Sequence, residues 1–287
     1  MSASNVHSRR RLAVVVGSGS VKCAAAIGLW RVLQREGIEV DMVVGCSGGS
    51  LYTTALAMGF ELDHVEQLTS TLWTREVTKG RHWRSLASVF LPRLFPFDTR
   101  FGLIQDRAML HGLNQAFGER TFADAKVPLH IVATDLTNGD KVVINHGRVV
   151  DAIRASISIP YVWPAWQVDG RPLIDGCMSD PLPVGVAMKE GADVIIAMGF
   201  ESAYARNLDS AMRYAFQLAT IHTNHLLKAS FAFNNLAHHT EIVPIVPEFD
   251  RRIGLYSTRH IPYVIEQGER EAEAQLPYLR QALATAA

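Results

Sequence analysis

The sequence is short of cysteine, of net charge and of long apolar runs, and each shortage narrows what the chain can be. Three cysteines, Cys23, Cys46 and Cys177, are too few and too odd a number for a disulfide framework, and they suit a reducing compartment. Lysine plus arginine equals aspartate plus glutamate at 28 each, so no global field draws the chain to nucleic acid. The apolar stretch from Leu12 to Val16, behind Arg9-Arg10-Arg11, is shorter than a signal-peptide core. No later run approaches the ~18 residues of a membrane span. Together these predict a cytoplasmic protein. Repeats and low-complexity linkers are missing as well, and so is a phosphate-cradling loop, since the pattern G-x-G-x-x-G that opens with Gly17 and Gly19 is not completed.

What is present is a chain of 287 residues, 48% of them hydrophobic, which is enough to bury a sizeable core. The polar first ten residues predict a frayed N-terminus, and residues 11–287 read as one domain without an internal boundary. Arg11 to Val16 predicts a buried strand, the Gly/Ser-rich turn Gly17-Ser18-Gly19-Ser20 follows, and a helix then runs to a stop at Gly37. Asp41 to Gly45 is the next strand. Strand, turn, helix and strand make a right-handed βαβ unit.

The second strand runs into Gly45-Cys46-Ser47-Gly48-Gly49, a G-x-S-x-G pattern with a helical run behind it. Such a turn holds a serine in strained geometry with its hydroxyl exposed at the end of a sheet, and Gly45 and Gly49 keep side chains from clashing across it. An ordinary turn has the same short pattern by chance. The first turn fits an oxyanion hole better than a phosphate site: backbone N–H groups of Ser18, Gly19, Ser20 and Val21 would lie beside Ser47. Lys22 either supports that turn with its charge or is solvated at the helix edge.

Further along, helices are expected over 61–74, 104–118 (Ile104, Ala108, Leu110 or His111, Leu113 and Phe117 inward), 149–156, 207–237 and 261–284. Strands are expected over 127–134, 141–144, 171–174, 191–198 and 242–246. Asn138-Gly139 marks a hairpin. The segment 159–166 reads as irregular. In the 207–237 helix, Leu208, Met212, Ala215, Ala219, His222, Leu226, Ala229 and Phe233 share one stripe and predict its core face.

Residues 75–100 change character. Arg75, Lys79, Arg81, Arg84, Arg93 and Arg100 interleave with Trp83, Leu86, Val89, Phe90, Leu91, Leu94, Phe95 and Phe97, against only Glu76 and Asp98. Rings that sink to headgroup level beside cations that meet anionic lipid suit a lid or a peripheral membrane contact. The plain alternative is packing on the domain, with the arginines as ordinary surface. Pro92 and Pro96 would break any helix here.

The opening Val14-Val15-Val16-Gly17-Ser18-Gly19-Ser20-Val21-Lys22, followed by the G-x-S-x-G turn, resembles the patatin-like phospholipases. Ser18 and Ser20 stand where that family has glycine, and so does Cys23. Ile153 to Pro160 resembles the family's approach to its D-G-[GA] motif, which reads Asp175-Gly176-Cys177 here. The resemblance implies an α/β fold with a mostly parallel central sheet between helices, a three-layer sandwich. It implies a Ser47–Asp175 dyad that cleaves acyl esters of lipids through an acyl-enzyme, with no cofactor. A lipid-sensing protein with little turnover, or a thioesterase or acyltransferase, are the alternatives.

A Ser-His-Asp triad is disfavoured, because no histidine sits in a motif near Ser47 or Asp175. Burial of Asp175 beside an acyl pocket would raise its pKa and make it a better base. His222 and His225, with His238 and His239 nearby, lack the carboxylate or third histidine that a metal shell needs, and His222 reads as a core residue. Each cysteine flanks one motif, so the three are expected in one neighbourhood, as small packing groups or as thiols open to inhibition. The partners expected are a lipid or acyl-ester substrate and the inner membrane surface. Nothing in the sequence indicates an oligomeric state.

Overall fold

The computed structural model describes residues 9–73, 80–91, 93–95, 98, 101–237, 240–254 and 257–284. Three of the six basic residues expected at 75–100 (Arg75, Lys79, Arg100), along with Pro92, Pro96, Phe97, His238 and His239, lie outside these; so do the side chains of Arg84, Leu86, Val89, Phe90, Met212 and Phe233.

The core is a mixed eight-stranded sheet. Its strands are β1 (Leu12–Val16), β2 (Met42–Cys46), β3 (Leu129–Asp135), β4 (Lys141–Ile144), β5 (Trp166–Val168), β6 (Arg171–Asp175), β7 (Val194–Met198) and β8 (Glu241–Ile245). The order is β5-β6-β3-β2-β1-β7-β8, with β4 also on β3. The stretch from β3 to β8 is parallel, and β4, β5 and β6 add antiparallel pairs at one side. Leu12–Val16 and Val194–Met198 are buried throughout, as parallel strands covered on both faces must be, and their unbroken apolar runs follow from that.

Helices cover both faces. On one lie α1 (Ala25–Arg35), α2 (Gly48–Ala57), α6 (Val149–Ser156) and α9 (Ile261–Ala284), with α3 (Leu62–Leu72) and α5 (Arg107–Phe117) further out. The other carries α7 (Val184–Lys189) and α8 (Ala211–Ala237), which pack Val184, Val186, Ala187 and Leu227 on Ala13, Val15 and Val44. Helices α1 and α9 meet at Gly28 and Gly268, where any side chain would strike the other helix's backbone.

Three expectations change here. Residues 166–168 form strand β5 rather than irregular chain, paired with β6. A helix, α4 (Trp83–Phe90), forms in the basic-aromatic segment, because eight residues fit between Gly80 and Pro92. In α5 the buried residues are Met109, Leu113, Ala116 and Phe117, whereas Ala108 and His111 face out. Among the described residues, no helix is long and apolar enough to cross a membrane.

Candidate active site

Buried β2 ends abruptly at Ser47, whose backbone sits at φ 52, ψ −128. That region costs a non-glycine residue on the order of 1–3 kcal/mol, so the surroundings must hold it. They do so through hydrogen bonds: the Ser47 N–H donates to Ser156 Oγ at 2.8 Å, and the Ser156 hydroxyl donates to Val132 O at 2.6 Å. The Ser47 carbonyl accepts from the N–H and the hydroxyl of Ser50, at 2.9 and 2.6 Å. Flanking glycines are needed for close approach. A Cβ on Gly49 would lie 2.2 Å from Val16 O, and one on Gly45 would lie 2.2 Å from Thr53 Oγ1.

Strand register brings the distant carboxylate to this turn. Cys46 pairs with Val132 on one side of β3, and Ala133 pairs with Asp175 on the other, so Ser47 and Asp175 flank the same level of β3. Ser47 Oγ donates to Asp175 Oδ2 at 2.7 Å. The other oxygen, Oδ1, accepts the Cys177 N–H at 2.9 Å. The Asp175 N–H donates to Ser158 O at 3.0 Å, and Thr134 Oγ1 donates to Asp175 O at 3.0 Å. Gly176 lets the chain pass over Val132 O toward Cys46, since a Cβ there would lie 2.2 Å from that oxygen.

Both side chains are nearly closed off, with Ser47 8% and Asp175 1% exposed. Burial pushes the Asp175 carboxyl up to about 6, against the hydrogen bonds from the Cys177 N–H, the Ser47 hydroxyl and the Cys177 thiol that favour its charge. Among the described residues no histidine hydrogen-bonds either group. A carboxylate in this state is a usable base near neutral pH, in direct contact with the hydroxyl it would deprotonate.

The Gly17–Ser20 turn lies against the elbow: a Cβ on Gly48 would be 2.7 Å from Ser20 N. Four N–H donors were expected from Ser18 to Val21, and Ser18 is a correction. Its N–H donates to Pro181 O at 2.8 Å, as that of Gly17 donates to Met198 O at 2.9 Å, because the loop after β6 and the end of β7 run alongside. Gly19, Ser20 and Val21 lie at the start of the 3-10 turn Ser20–Ala24. Ser20 adopts φ 53, where glycine would be unstrained, at a cost of about 1–2 kcal/mol.

Lys22 is not solvated at the helix edge. It is buried, its Nζ donating to Glu201 O at 2.9 Å and Ser202 Oγ at 3.0 Å, and burial lowers its pKa to about 8. Asn224 of α8 in turn grips the Ser202 backbone on both sides, at 3.0 and 2.8 Å.

The cysteines do gather. Cys23 Sγ donates to Gly17 O at 3.4 Å, Cys46 Sγ borders Gly176, and Cys177 follows Asp175 by two residues. Burial raises all three thiols, which therefore pack as neutral groups rather than as reactive thiolates. His222 and His225 are exposed, so His222 is no core residue. Among the described residues, no cluster of three His, Cys, Asp or Glu side chains forms a metal site.

Ser156, Ser158 and Thr134 are supporting residues that sequence reasoning did not single out. Their signal was the alternation Ser156-Ile157-Ser158 before a proline, which only the fold ties to Ser47 and Asp175. Arg154 is another: fully buried, it bonds Ser158 Oγ at 2.6 Å and Asp106 Oδ2 at 2.8 Å, fixing the loop that receives Asp175.

An elbow serine in contact with a buried carboxylate, beside a glycine-rich turn on a three-layer α/β sheet, defines a class of protein, and the comparisons place the chain within it. Residues 14–188 match the family model described as "Patatin-like phospholipase", so the chain belongs to the patatin-like phospholipase family. The match ends before α8. An uncharacterized NTE family protein of Mycobacterium tuberculosis is 31% identical over 202 residues, 69% of this chain and 52% of that protein. Human patatin-like phospholipase domain-containing protein 6 is 28% identical over 193 residues, 65% of this chain and 13% of that one. The chain thus spans about half the length of the mycobacterial relatives. The crystal structure of VipD from Legionella pneumophila shares the fold at a TM-score of 0.53 and 13% identity, over 94% of this chain and 67% of that one.

Proposed function

We propose that the protein is a serine acyl hydrolase that cleaves acyl esters of lipids through Ser47 and Asp175. The observation that carries this is the 2.7 Å contact between Ser47 Oγ and the buried Asp175 carboxylate with no imidazole between them. Asp175 takes the Ser47 proton as Oγ bonds to the ester carbonyl carbon. The N–H groups at Gly19, Ser20 and Val21 then stabilise the oxyanion. Collapse breaks the bond to the alcohol, which leaves with the proton from Asp175. Water repeats the sequence on the acyl-serine, its proton passing through Asp175, and frees the fatty acid. No metal or cofactor is required by these steps.

Reaction with p-nitrophenyl esters tests the reading: Ser47→Ala and Asp175→Asn should each remove turnover, and a fluorophosphonate should label Ser47. Hydrolysis that survives Ser47→Ala refutes it. One observation favours a second reading, a lipid sensor with little turnover: Ser20 is held at positive φ in the turn that must supply oxyanion donors. Lipid binding by the parent protein without hydrolysis would select that reading.

The substrate reaches the site from a membrane surface in this proposal. Trp83 on α4 is 70% exposed, and Leu91, Leu94 and Phe95 beyond the helix are exposed too. Arg81 and Arg93 flank them, so rings and cations are presented together, as a peripheral contact with an anionic leaflet requires. A cytoplasmic protein visiting the inner membrane surface fits this arrangement.

A further inference from the structure

Among the described residues, helix α8 buries one apolar stripe against the sheet, and a second is only half-covered. Asn224 and Leu227 are buried, and Phe231 packs beside Leu227, so these residues form its inward face. The neighbouring line through Ala215, Ala219 and His222 has the spacing of a core face, yet it borders an open groove. The opposite wall is Ile159, Pro160 and Tyr161 with Met178. Charged side chains are absent from the described lining, which suits neither a lipid headgroup nor a peptide with its many polar groups.

Two stretches of the groove's lining are chain neighbours of the residues that hold Asp175. Met178 closes the turn Gly176–Met178, whose N-cap is Asp175. Ile159 follows Ser158, whose carbonyl accepts the Asp175 N–H at 3.0 Å. Tyr161 sits at the groove with φ 68, in the left-handed region, and is 59% exposed. Its carbonyl accepts the Leu103 N–H at 3.0 Å and the next carbonyl accepts from Ile104 at 2.9 Å, so the bend is held from outside. Strain that the surroundings maintain, in an exposed aromatic residue beside a reacting pair, marks a ligand-facing position.

The geometry points to this groove as the subsite for the acyl chain of the ester that Ser47 attacks, with Ala215 and Ala219 setting the length it accepts. The inference rests on the hydrolase reading and names its substrate more closely. The volume is about 300 Å³. That is roughly twice the ~150 Å³ of a cavity that takes a benzene ring, so the groove has room for roughly a dozen carbons. Phe216 and Leu218 of the same helix also line the groove, and Ala215 and Ala219 are its small positions there, where a larger side chain would shorten it.

The test compares kcat/KM for p-nitrophenyl esters from butanoyl to hexadecanoyl in the parent protein, Ala219→Trp and Ala215→Trp. In the parent, efficiency should climb with each methylene, by at most about 4-fold, and level off near the dodecanoyl ester. Each tryptophan should lower the dodecanoyl-to-butanoyl ratio by at least ~10-fold, since it removes several methylene sites at that rate. The ratio does not depend on how much of the variant is folded. As a measurement without turnover, a fluorescent dodecanoyl fatty acid should bind Ser47→Ala and bind the Ser47→Ala, Ala219→Trp double variant at least ~10-fold more weakly. An unchanged ratio in both variants, equal loss at every length, or equal fatty-acid binding overturns the subsite. Loss of the hydrolase reading shows separately, as ester hydrolysis that persists in Ser47→Ala.

Discussion

Replacing Asp175 with asparagine should inactivate the protein and, at alkaline pH, stabilise it. Burial moves the carboxyl from 3.8 to about 6. At 1.36 kcal/mol per decade of acidity constant, keeping the charge in the folded state costs on the order of 3 kcal/mol. Because the folded pKa is the higher one, the folded state holds a proton that the unfolded chain has already released between pH 3.8 and about 6. The stabilising contribution of the protonated group is complete below pH 3.8 and is lost as pH rises through about 6. Asparagine retains the geometry, its oxygen accepting the Cys177 N–H and its amide donating to Ser47 Oγ. It carries no charge at any pH.

Urea unfolding of parent and Asp175→Asn from pH 3.5 to 8 is the assay. The variant should be more stable by up to about 3 kcal/mol at pH 8 and should converge with the parent near pH 3.5. In the parent, kcat/KM should fall with unit slope below pH 6, since only the carboxylate can take the serine proton. A variant no more stable than the parent at pH 8, or parent activity that stays flat to pH 4.5, would show that Asp175 is neither desolvated nor the base.

Gly48→Ala would set a Cβ 2.7 Å from Ser20 N and push the oxyanion turn off the elbow, so kcat should fall by roughly 100-fold with KM little changed. Ser156→Ala strips the partner from the Ser47 N–H and from Val132 O, and calorimetry should show a loss of about 2–4 kcal/mol. Asp106→Ala leaves the Arg154 charge buried without its carboxylate, which should cost about 3 kcal/mol in chemical denaturation, while Asp106→Asn costs less. In liposome flotation with anionic vesicles, Trp83→Ser with Leu94→Ser should weaken binding; unchanged flotation removes the membrane contact from the proposal.

Local sequence was enough for the elements whose pattern has one physical solution. Leu12 to Val16 and Val194 to Met198 have no polar residue to place, so they can only be central strands. Gly45 to Gly49 carries the glycines that a sharp strand-to-helix turn at Ser47 needs, and Val149 to Ser156 reads as the helix it is. Helix α8 was legible in existence but not in phase. Its residues are apolar on more than one face, and periodicity cannot say whether Leu227 or Ala219 will find a partner. Strand β5 was missed because three residues behind Trp163-Pro164 carry too little pattern to stand out.

By itself, then, the sequence determined which short stretches could carry chemistry: a serine in a glycine turn, an aspartate at a strand end, a turn with amides to offer. Tertiary structure alone decided which of them meet. Ser47 and Asp175 are 128 residues apart and are joined by strand register across β3. The Ser18 amide, which local reading left available, is taken by Pro181 from the loop between β6 and α7, which arrives much later. Lys22, ambiguous in sequence, is settled by the carbonyl of Glu201. The reason is the same throughout. A residue's type limits the bonds it can make, but whether a partner or water makes them depends on what remote chain the fold packs beside it.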